Sequence, residues 1–265
     1  MQAMKEILLE QPVARGRTAD IYDWDNGHIL KLFQNWFETE DIEYERRIAS
    51  AVHASGVKSP AVGDIVQVHG RTGIIYERVQ GKSLLRMFGR QPWRVIRFGR
   101  TLAELHSQMH RRVFEADVPE QRKKLQKKIK SADALPDVLK TKLLGTLEAL
   151  PEGDRVCHGD FHPDNVLIDG TAATVIDWID AARGNPLADV ARTSIILLGA
   201  ASAQISNPVL KLIVRFFHSI YLTHYFGQRP GGEAEYRRWL PVVAGARLNE
   251  NIPELEGWLI KQAHG

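Results

Sequence analysis

The sequence predicts an α+β chain in which an antiparallel sheet carrying one helix precedes a mostly helical region. Three observations carry that prediction. The first third alternates short apolar runs with turn residues and holds one helical segment. From Pro92 onward, apolar residues recur at helical spacing. Inside that helical region, Cys157 to Asp177 reads as an island of strand and loop.

The elements follow in order. Ile21–Trp24 and His28–Phe33 flank Asp25-Asn26-Gly27, and Asn-Gly is a strong signal for a two-residue hairpin turn. A helix is expected from Thr39 to about Ala54, with Thr39 as N-cap, Glu40 and Asp41 in its first turn and Gly56 as its stop. Two further strands are expected at Asp64–His69 and Gly73–Val79, turning at Gly70-Arg71-Thr72. The order is strand, strand, strand, helix, strand, strand. Val95 to His110 carries Val95, Phe98, Leu102 and Leu105 on one helical face. Beyond Pro186 the pattern is helical to the end. A boundary near Gly81 divides 1–80 from 81–265.

The bulk numbers exclude several functional classes. The chain has 265 residues, 44% hydrophobic content and 25% charge, so it can bury a substantial core. A net charge of +3 without a reading motif argues against a nucleic-acid partner. A single cysteine, Cys157, rules out an internal disulfide framework and a Cys-rich zinc site. Met1 to Glu10 lacks a secretory apolar region, and the longest apolar run, near Ile195 to Ala203, is too short to span a bilayer. A cytoplasmic protein with no membrane partner is expected; the oligomeric state is open.

The chemistry centres on His158-Gly159-Asp160-Phe161-His162-Pro163-Asp164-Asn165. Gly159 and Pro163 make this a loop. Val166-Leu167-Ile168, the turn Asp169-Gly170 and Thr174-Val175-Ile176 then read as a hairpin. Folding it at Asp169-Gly170 brings Asn165 and Asp177 to the same end, beside Asp160. An amide oxygen and a carboxylate, completed by phosphate oxygens and water, are the hard ligands that Mg²⁺ prefers. A neighbouring carboxylate to orient a hydroxyl completes a phosphoryl-transfer site, where catalysis is positioning and charge neutralisation. The other reading is a polar hairpin with an accidental acidic cluster.

These residues resemble the aminoglycoside phosphotransferase and choline kinase-like family. The likeness lies in His158-Gly159-Asp160 through Asn165, Ile176-Asp177-Trp178, Gly184-Asn185-Pro186-Leu187-Ala188-Asp189-Val190-Ala191 and Leu102-Ala103-Glu104-Leu105-His106. The protein-kinase pattern H-R-D-L-x-x-x-N shares the Asp-to-Asn spacing, with Gly159 and Phe161 replacing Arg and Leu here. The resemblance implies a bilobal protein kinase-like fold: 1–80 as a nucleotide-binding lobe and 81–265 as a catalytic and substrate-binding lobe. It further implies ATP and Mg²⁺ as cofactors, Asp160 as catalytic base, Asn165 and Asp177 as metal ligands, and Asp189 as a brace for the catalytic loop.

In the N-terminal part, Lys31 sits mid-strand between Leu30 and Leu32, and the resemblance makes it the phosphate-contacting lysine; a solvated strand lysine is the alternative. Its partner is expected among Glu38, Glu40, Glu43 and Glu45. Ile42, Ile48, Ala49 and Val52 define the apolar face of the helix; Glu45 falls inside that arc, while Glu43 points well away, so Glu45 is the choice. A carboxylate on a buried face needs a cation. Ala14 to Asp20 lies where a phosphate loop belongs but has one glycine; either Arg17 and Thr18 bind phosphate, or the segment is a plain turn. Tyr76-Glu77-Arg78-Val79 occupies the expected hinge, where Glu77 and Val79 would pair with adenine.

Other residues carry weaker expectations. His106 and His158 read as structural, and Cys157 as a buried thiol. Asp180 faces either the site or solvent. The basic stretch Arg111 to Lys130 is either an anion-attracting patch or a solvated face. Trp239 to Leu259 is expected to wall the acceptor pocket, with Asn249, Glu250 and Glu254 as polar candidates. The expected activity is ATP-dependent transfer of a γ-phosphoryl group to a hydroxyl of a small molecule whose identity is not readable. The second expectation is a kinase-like nucleotide-binding module with weak or no catalysis. Asp177-Trp178-Ile179 in place of Asp-Phe-Gly disfavours a protein kinase.

Overall fold

The computed structural model describes residues 11–25 and 27–265. Met1 to Glu10 and Asn26 of the expected Asn-Gly turn lie outside the described residues. Strands β1 (Ala14–Arg15), β2 (Ala19–Asp25), β3 (His28–Phe33), β4 (Val62–Val68) and β5 (Arg71–Glu77) form an antiparallel sheet in the order β1-β2-β3-β5-β4. Side chains alternate across a strand. Leu30 and Leu32 therefore join Val68 in one buried cluster, while Phe33 joins Ala19, Ile42 and Ile74 on the other face. Lys31 shares that second face, under helix α1 (Thr39–Ala54).

Helix α1 has the expected bounds, but Thr39 is not its cap: Glu38 holds the N-cap position without a side-chain hydrogen bond, and Thr39 begins the helix. Ile42, Glu45, Ile48, Ala49 and Val52 are its buried residues. The β4–β5 turn is also tighter than expected. His69 (φ 50°) and Gly70 (φ 75°) alone make the turn, and Val68 pairs directly with Arg71. Two successive positive φ angles match the twist of the flanking strands, so the two strands need no third turn residue.

After a short strand β6 (Lys82–Ser83), helices α2 (Leu84–Arg90) and α3 (Val95–Met109) lead into α4 (Gln121–Lys130) and α5 (Asp137–Glu148). Strand β7 (Arg155–Cys157), hairpin β8 (Val166–Asp169) and β9 (Ala172–Val175), and β10 (Ala182–Gly184) interrupt the helices. Helices α6 (Pro186–Gly199), α7 (Pro208–Gln228), α8 (Glu233–Arg247) and α9 (Pro253–His264) complete the chain. One large apolar cluster runs through this part, from Leu102 and Met109 on α3 to Phe217 and Tyr221 on α7 and Trp239 on α8; Ile48, Ala49 and Val52 of α1 join it. Among the described residues, no helix is long and apolar enough to cross a membrane.

β6 pairs with β8, which ties the start of the helical region to the β8–β9 hairpin. Gly81 makes that crossing possible. It has φ 116°, and a Cβ there would lie 2.2 Å from the Ile168 carbonyl oxygen.

Candidate active site

The loop after β7 is held from below. His158 is buried; its Nε2 donates to the Ile176 carbonyl (3.0 Å) and its Nδ1 accepts from the Asp160 N–H (3.2 Å). Gly159 has φ 80°, a left-handed conformation, and a Cβ would meet the Asp180 carbonyl at 2.6 Å. The Asp189 carboxylate accepts from the amides of His158 (2.6 Å) and Gly159 (2.8 Å). It also accepts from Nε2 of His106 (3.1 Å) and His110 (3.3 Å). The Nδ1 atoms of these histidines accept from the Tyr221 and Tyr225 hydroxyls at 2.6 and 2.7 Å.

Burial pushes His106 down and His110 down to about 3, so both rings are neutral. Burial alone would raise Asp189, but hydrogen bonds from the two histidines keep it well below the usual carboxylate range. The three side chains are close enough to share a metal ion. Both nitrogens of each ring are already engaged, however, so the cluster is a completed hydrogen-bond network.

Above this base sit the polar groups. The Asp160 carboxylate lies 3.4 Å from Arg192 Nη2 and 3.4 Å from His162 Nε2. Burial opposes its ionisation, but His162 and Arg192 outweigh that and hold its carboxyl well below the usual range. Asn165 ends a one-turn 3-10 helix, Pro163–Asn165. Its Nδ2 donates to the Asp160 carbonyl (3.0 Å) and contacts His162 Nε2 (3.3 Å), which leaves Oδ1 as its ligand atom. The hairpin register Val166↔Val175, with the Ile176 amide donating to the Asn165 carbonyl (3.0 Å), brings Asn165 and Asp177 to one end. Asp177 has φ 64°, a strained conformation for a non-glycine residue.

Lys31 reaches this group from the sheet. Its Nζ lies 2.7 Å from Glu45 and 3.3 Å from Asp177. Burial would lower its pKa, but Glu45 and then Asp177 more than compensate, and it rises. The Tyr76 hydroxyl donates to Glu45 at 3.0 Å. Glu38, Glu40 and Glu43 are exposed. A carboxylamide oxygen and a half-exposed carboxylate, with a lysine alongside, are the donor set that a magnesium–nucleotide complex requires.

Other expected residues stand apart. Arg17 is exposed and Thr18 half-buried in a tight turn whose Gly16 N–H is spent on the Ala19 carbonyl (2.9 Å). The Glu77 carboxylate accepts from the Ala61 amide (2.9 Å), and the Glu77 amide donates back to the Ala61 carbonyl (2.9 Å). Val79 follows the end of β5. Asp180, half-buried, pairs with Lys124 (3.1 Å) and Lys128 (3.5 Å). Cys157 is buried, and burial pushes its thiol well up.

Sequence reasoning missed Arg192. Its Nε donates to the Gly159 carbonyl (3.0 Å), and its Nη2 meets both Asp160 and Glu250, the latter at 2.5 Å. The signal was available: Arg192 follows Asp189 by three on α6, and so shares its helical face. Glu250 is thus tied to Asp160 through one guanidinium, whereas Asn249 bonds Ser131 Oγ (3.0 Å) and Glu254 is exposed.

Known proteins share this fold. The model of the phosphotransferase enzyme family matches residues 11–207. The chain is similar in structure to an aminoglycoside-3'-phosphotransferase of type VIII (TM-score 0.59, 18% identity, covering 92% of each chain). It is similar to a Streptomyces rimosus aminoglycoside phosphotransferase in complex with ADP and streptomycin (TM-score 0.56, 18% identity, 89% of this chain and 91% of that one). It also resembles a choline/ethanolamine kinase family protein from Mesorhizobium loti (TM-score 0.54, 15% identity, 92% and 82%). At these identities the structural likeness speaks to the fold, which is protein kinase-like. No curated protein matches the sequence. With about three quarters of its length matched to the family model, and its acidic loop and hairpin assembled as described, the chain belongs to the phosphotransferase enzyme family.

Proposed function

We propose that this protein is a small-molecule kinase that transfers the γ-phosphoryl group of ATP to a hydroxyl of its acceptor. The observation that carries this reading is the convergence of Lys31, Glu45 and Asp177 beside Asn165 and Asp160. Residues 1–80 act as the nucleotide-binding lobe and 81–265 as the catalytic lobe. Asn165 and Asp177 hold Mg²⁺, which supplies neutralisation of phosphate charge when bound. Lys31, held by Glu45, positions the nucleotide phosphates. Arg17 and Thr18 cover them from the β1–β2 turn, and the backbone at Glu77 and Val79 faces the adenine.

Asp160 orients the acceptor hydroxyl and takes its proton. A carboxylate held ionised by His162 and Arg192 is a weak base. That suits phosphoryl transfer, whose loose transition state needs positioning more than proton abstraction. Asp160→Ala should lower acceptor-dependent ATP turnover by about 10²–10⁴-fold, while calorimetry still detects nucleotide binding. Undiminished turnover would sink the assignment. One feature favours a module with weak catalysis: the spent amide of Gly16 leaves few donors in the phosphate turn. A slow Mg²⁺-dependent ATPase rate without acceptor discriminates the two.

A further inference from the structure

Beside Arg192 a cavity of about 50 Å³ opens between α4, α6 and α8. A buried water needs roughly 10–15 Å³ by this measure, so the space suits a group of a few heavy atoms. Lys124, Lys128, Arg192 and Arg247 line it, together with Asp180 and the apolar side chains of Leu125 and Val243.

The cations are not fully matched. Lys124 and Lys128 share one carboxylate oxygen of Asp180 at 3.1 and 3.5 Å, and Lys124 also donates to the Asp180 carbonyl at 2.8 Å. Arg192 divides its guanidinium among Asp160, Glu250 and the Gly159 carbonyl. Arg247 lies 3.4 Å from Glu250 through Nε, without hydrogen-bond geometry, and its Nε and Nη1 are buried with no hydrogen-bond partner. Its side chain is only 9% exposed. Asp189 also borders the cavity, but its oxygens are occupied by two histidines and two amides.

A buried guanidinium N–H without an acceptor is costly unless something completes it. Burial and the charge of Arg192 pull Arg247 down to about 10, and burial, Lys128 and Arg192 help lower Lys124 against Asp180. Four cations thus line the cavity against two carboxylates, Asp180 and the already occupied Asp189, while the buried Glu250 Oε1 beside Arg247 is itself without a hydrogen-bond partner. The cavity stands one guanidinium away from the Asp160 carboxylate.

Resting on the kinase reading above, we propose that the acceptor is an alcohol carrying an oxyanion, a carboxylate or a phosphate ester. The anionic group docks on Arg247 and Arg192 with Lys124 and Lys128 around it, and so places the hydroxyl at Asp160. A polycationic aminoglycoside or a choline-like alcohol meets repulsion at the same place. The basic residues of α4 thereby act in part as an anion site and not only as a solvated face.

The test begins with inorganic phosphate, titrated calorimetrically into the full chain with and without a saturating non-hydrolysable ATP analogue and Mg²⁺. We expect saturable binding that persists with the nucleotide site filled. Removing one charged partner of a buried contact weakens it by at least about tenfold, the loss expected in Arg247→Gln. Lys128→Gln, at a more exposed position, should weaken binding less and guards against a folding defect in the first variant. Competition by glycerate and by glycerol 3-phosphate then separates carboxylate from phosphate ester, with glycerol and choline as neutral and cationic controls.

Absence of phosphate binding while nucleotide binds overturns the anionic acceptor and leaves the kinase reading standing. Phosphate binding that both variants leave unchanged overturns it too, as does ATP-dependent phosphorylation of choline or an aminoglycoside with a KM indifferent to Arg247→Gln. Failure of nucleotide to bind overturns the kinase reading itself, and with it an acceptor of any charge.

Discussion

Lys31 shows how a single residue is fixed by its surroundings. Its side chain is 16% exposed and that of Glu45 is 3% exposed, so each depends on the other to remain charged. Removing one member of a buried pair leaves the other uncompensated, at about 3–5 kcal/mol, whereas replacing both is often nearly neutral. Lys31→Met should therefore destabilise the fold by roughly 3 kcal/mol, and Lys31→Met with Glu45→Leu should recover most of that stability. Both variants should lose ATP turnover. Urea denaturation measures the first effect, and a double variant no more stable than the single one would contradict the coupling. This pair was legible in the sequence because two local periods, two for the strand and 3.6 for the helix, each placed its residue on a buried face. Arg192 and Arg247 were not legible in the same way. Arg192 meets Asp160 and Glu250, both distant in sequence, and although Arg247 and Glu250 stand three residues apart, only tertiary contact brings that pair to Arg192 and Asp160.

Secondary-structure elements were read well where the pattern was long. Helix α1 has the bounds its periodicity implies, and α3 ends one residue before His110. Short elements were read less well. β6 has two residues, too few for any alternation, and the β4–β5 turn hides a histidine at positive φ. Yet β6 matters to the site, because its pairing with β8 anchors the hairpin that carries Asn165 and Asp177 at its end. Gly81 is the element's weak point: φ 116° excludes a side chain, and a Cβ would lie 2.2 Å from the Ile168 oxygen. Backbone strain of this kind costs about 1–3 kcal/mol, and relief requires β6 to separate from β8. Gly81→Ala should therefore destabilise the protein by at least about 2 kcal/mol and raise the Mg²⁺ concentration needed for half-maximal turnover. Gly89→Ala is the control, since nothing lies within 4 Å of a Cβ there. Equal effects of the two substitutions would show that β6 does not hold the hairpin.

At the scale of the molecule, the Asp189 network joins α3 through His106 and His110, α7 through Tyr221 and Tyr225, and the loop after β7 through two amides. The fold and the candidate site thus share one buried junction, and that junction is sensitive to acid. His110 is held down at about 3 when folded, against 6.5 for a free imidazole. Between those values the unfolded chain binds a proton that the folded chain refuses, so stability falls as pH falls from 6.5 towards 3. His106 and His218, both lowered by burial, act in the same direction. Asp189 is depressed as well, so its contribution is present above the ordinary carboxylate range and is lost only as pH falls through its own lower value. The histidines therefore set the onset. At about 1.4 kcal/mol per pH unit, His110 alone removes about 2 kcal/mol by pH 5, a fall of roughly 4–8 °C in Tm. His110→Phe removes the titrating ring but strands the Tyr225 hydroxyl. It should lower Tm at pH 7.5 and flatten the decline to pH 5, with His106 and His218 supplying what slope remains. Thermal unfolding followed by circular dichroism at the two pH values decides it: a Tm of the parent protein that is equal at pH 7.5 and pH 5 would mean that this junction accepts protons when folded.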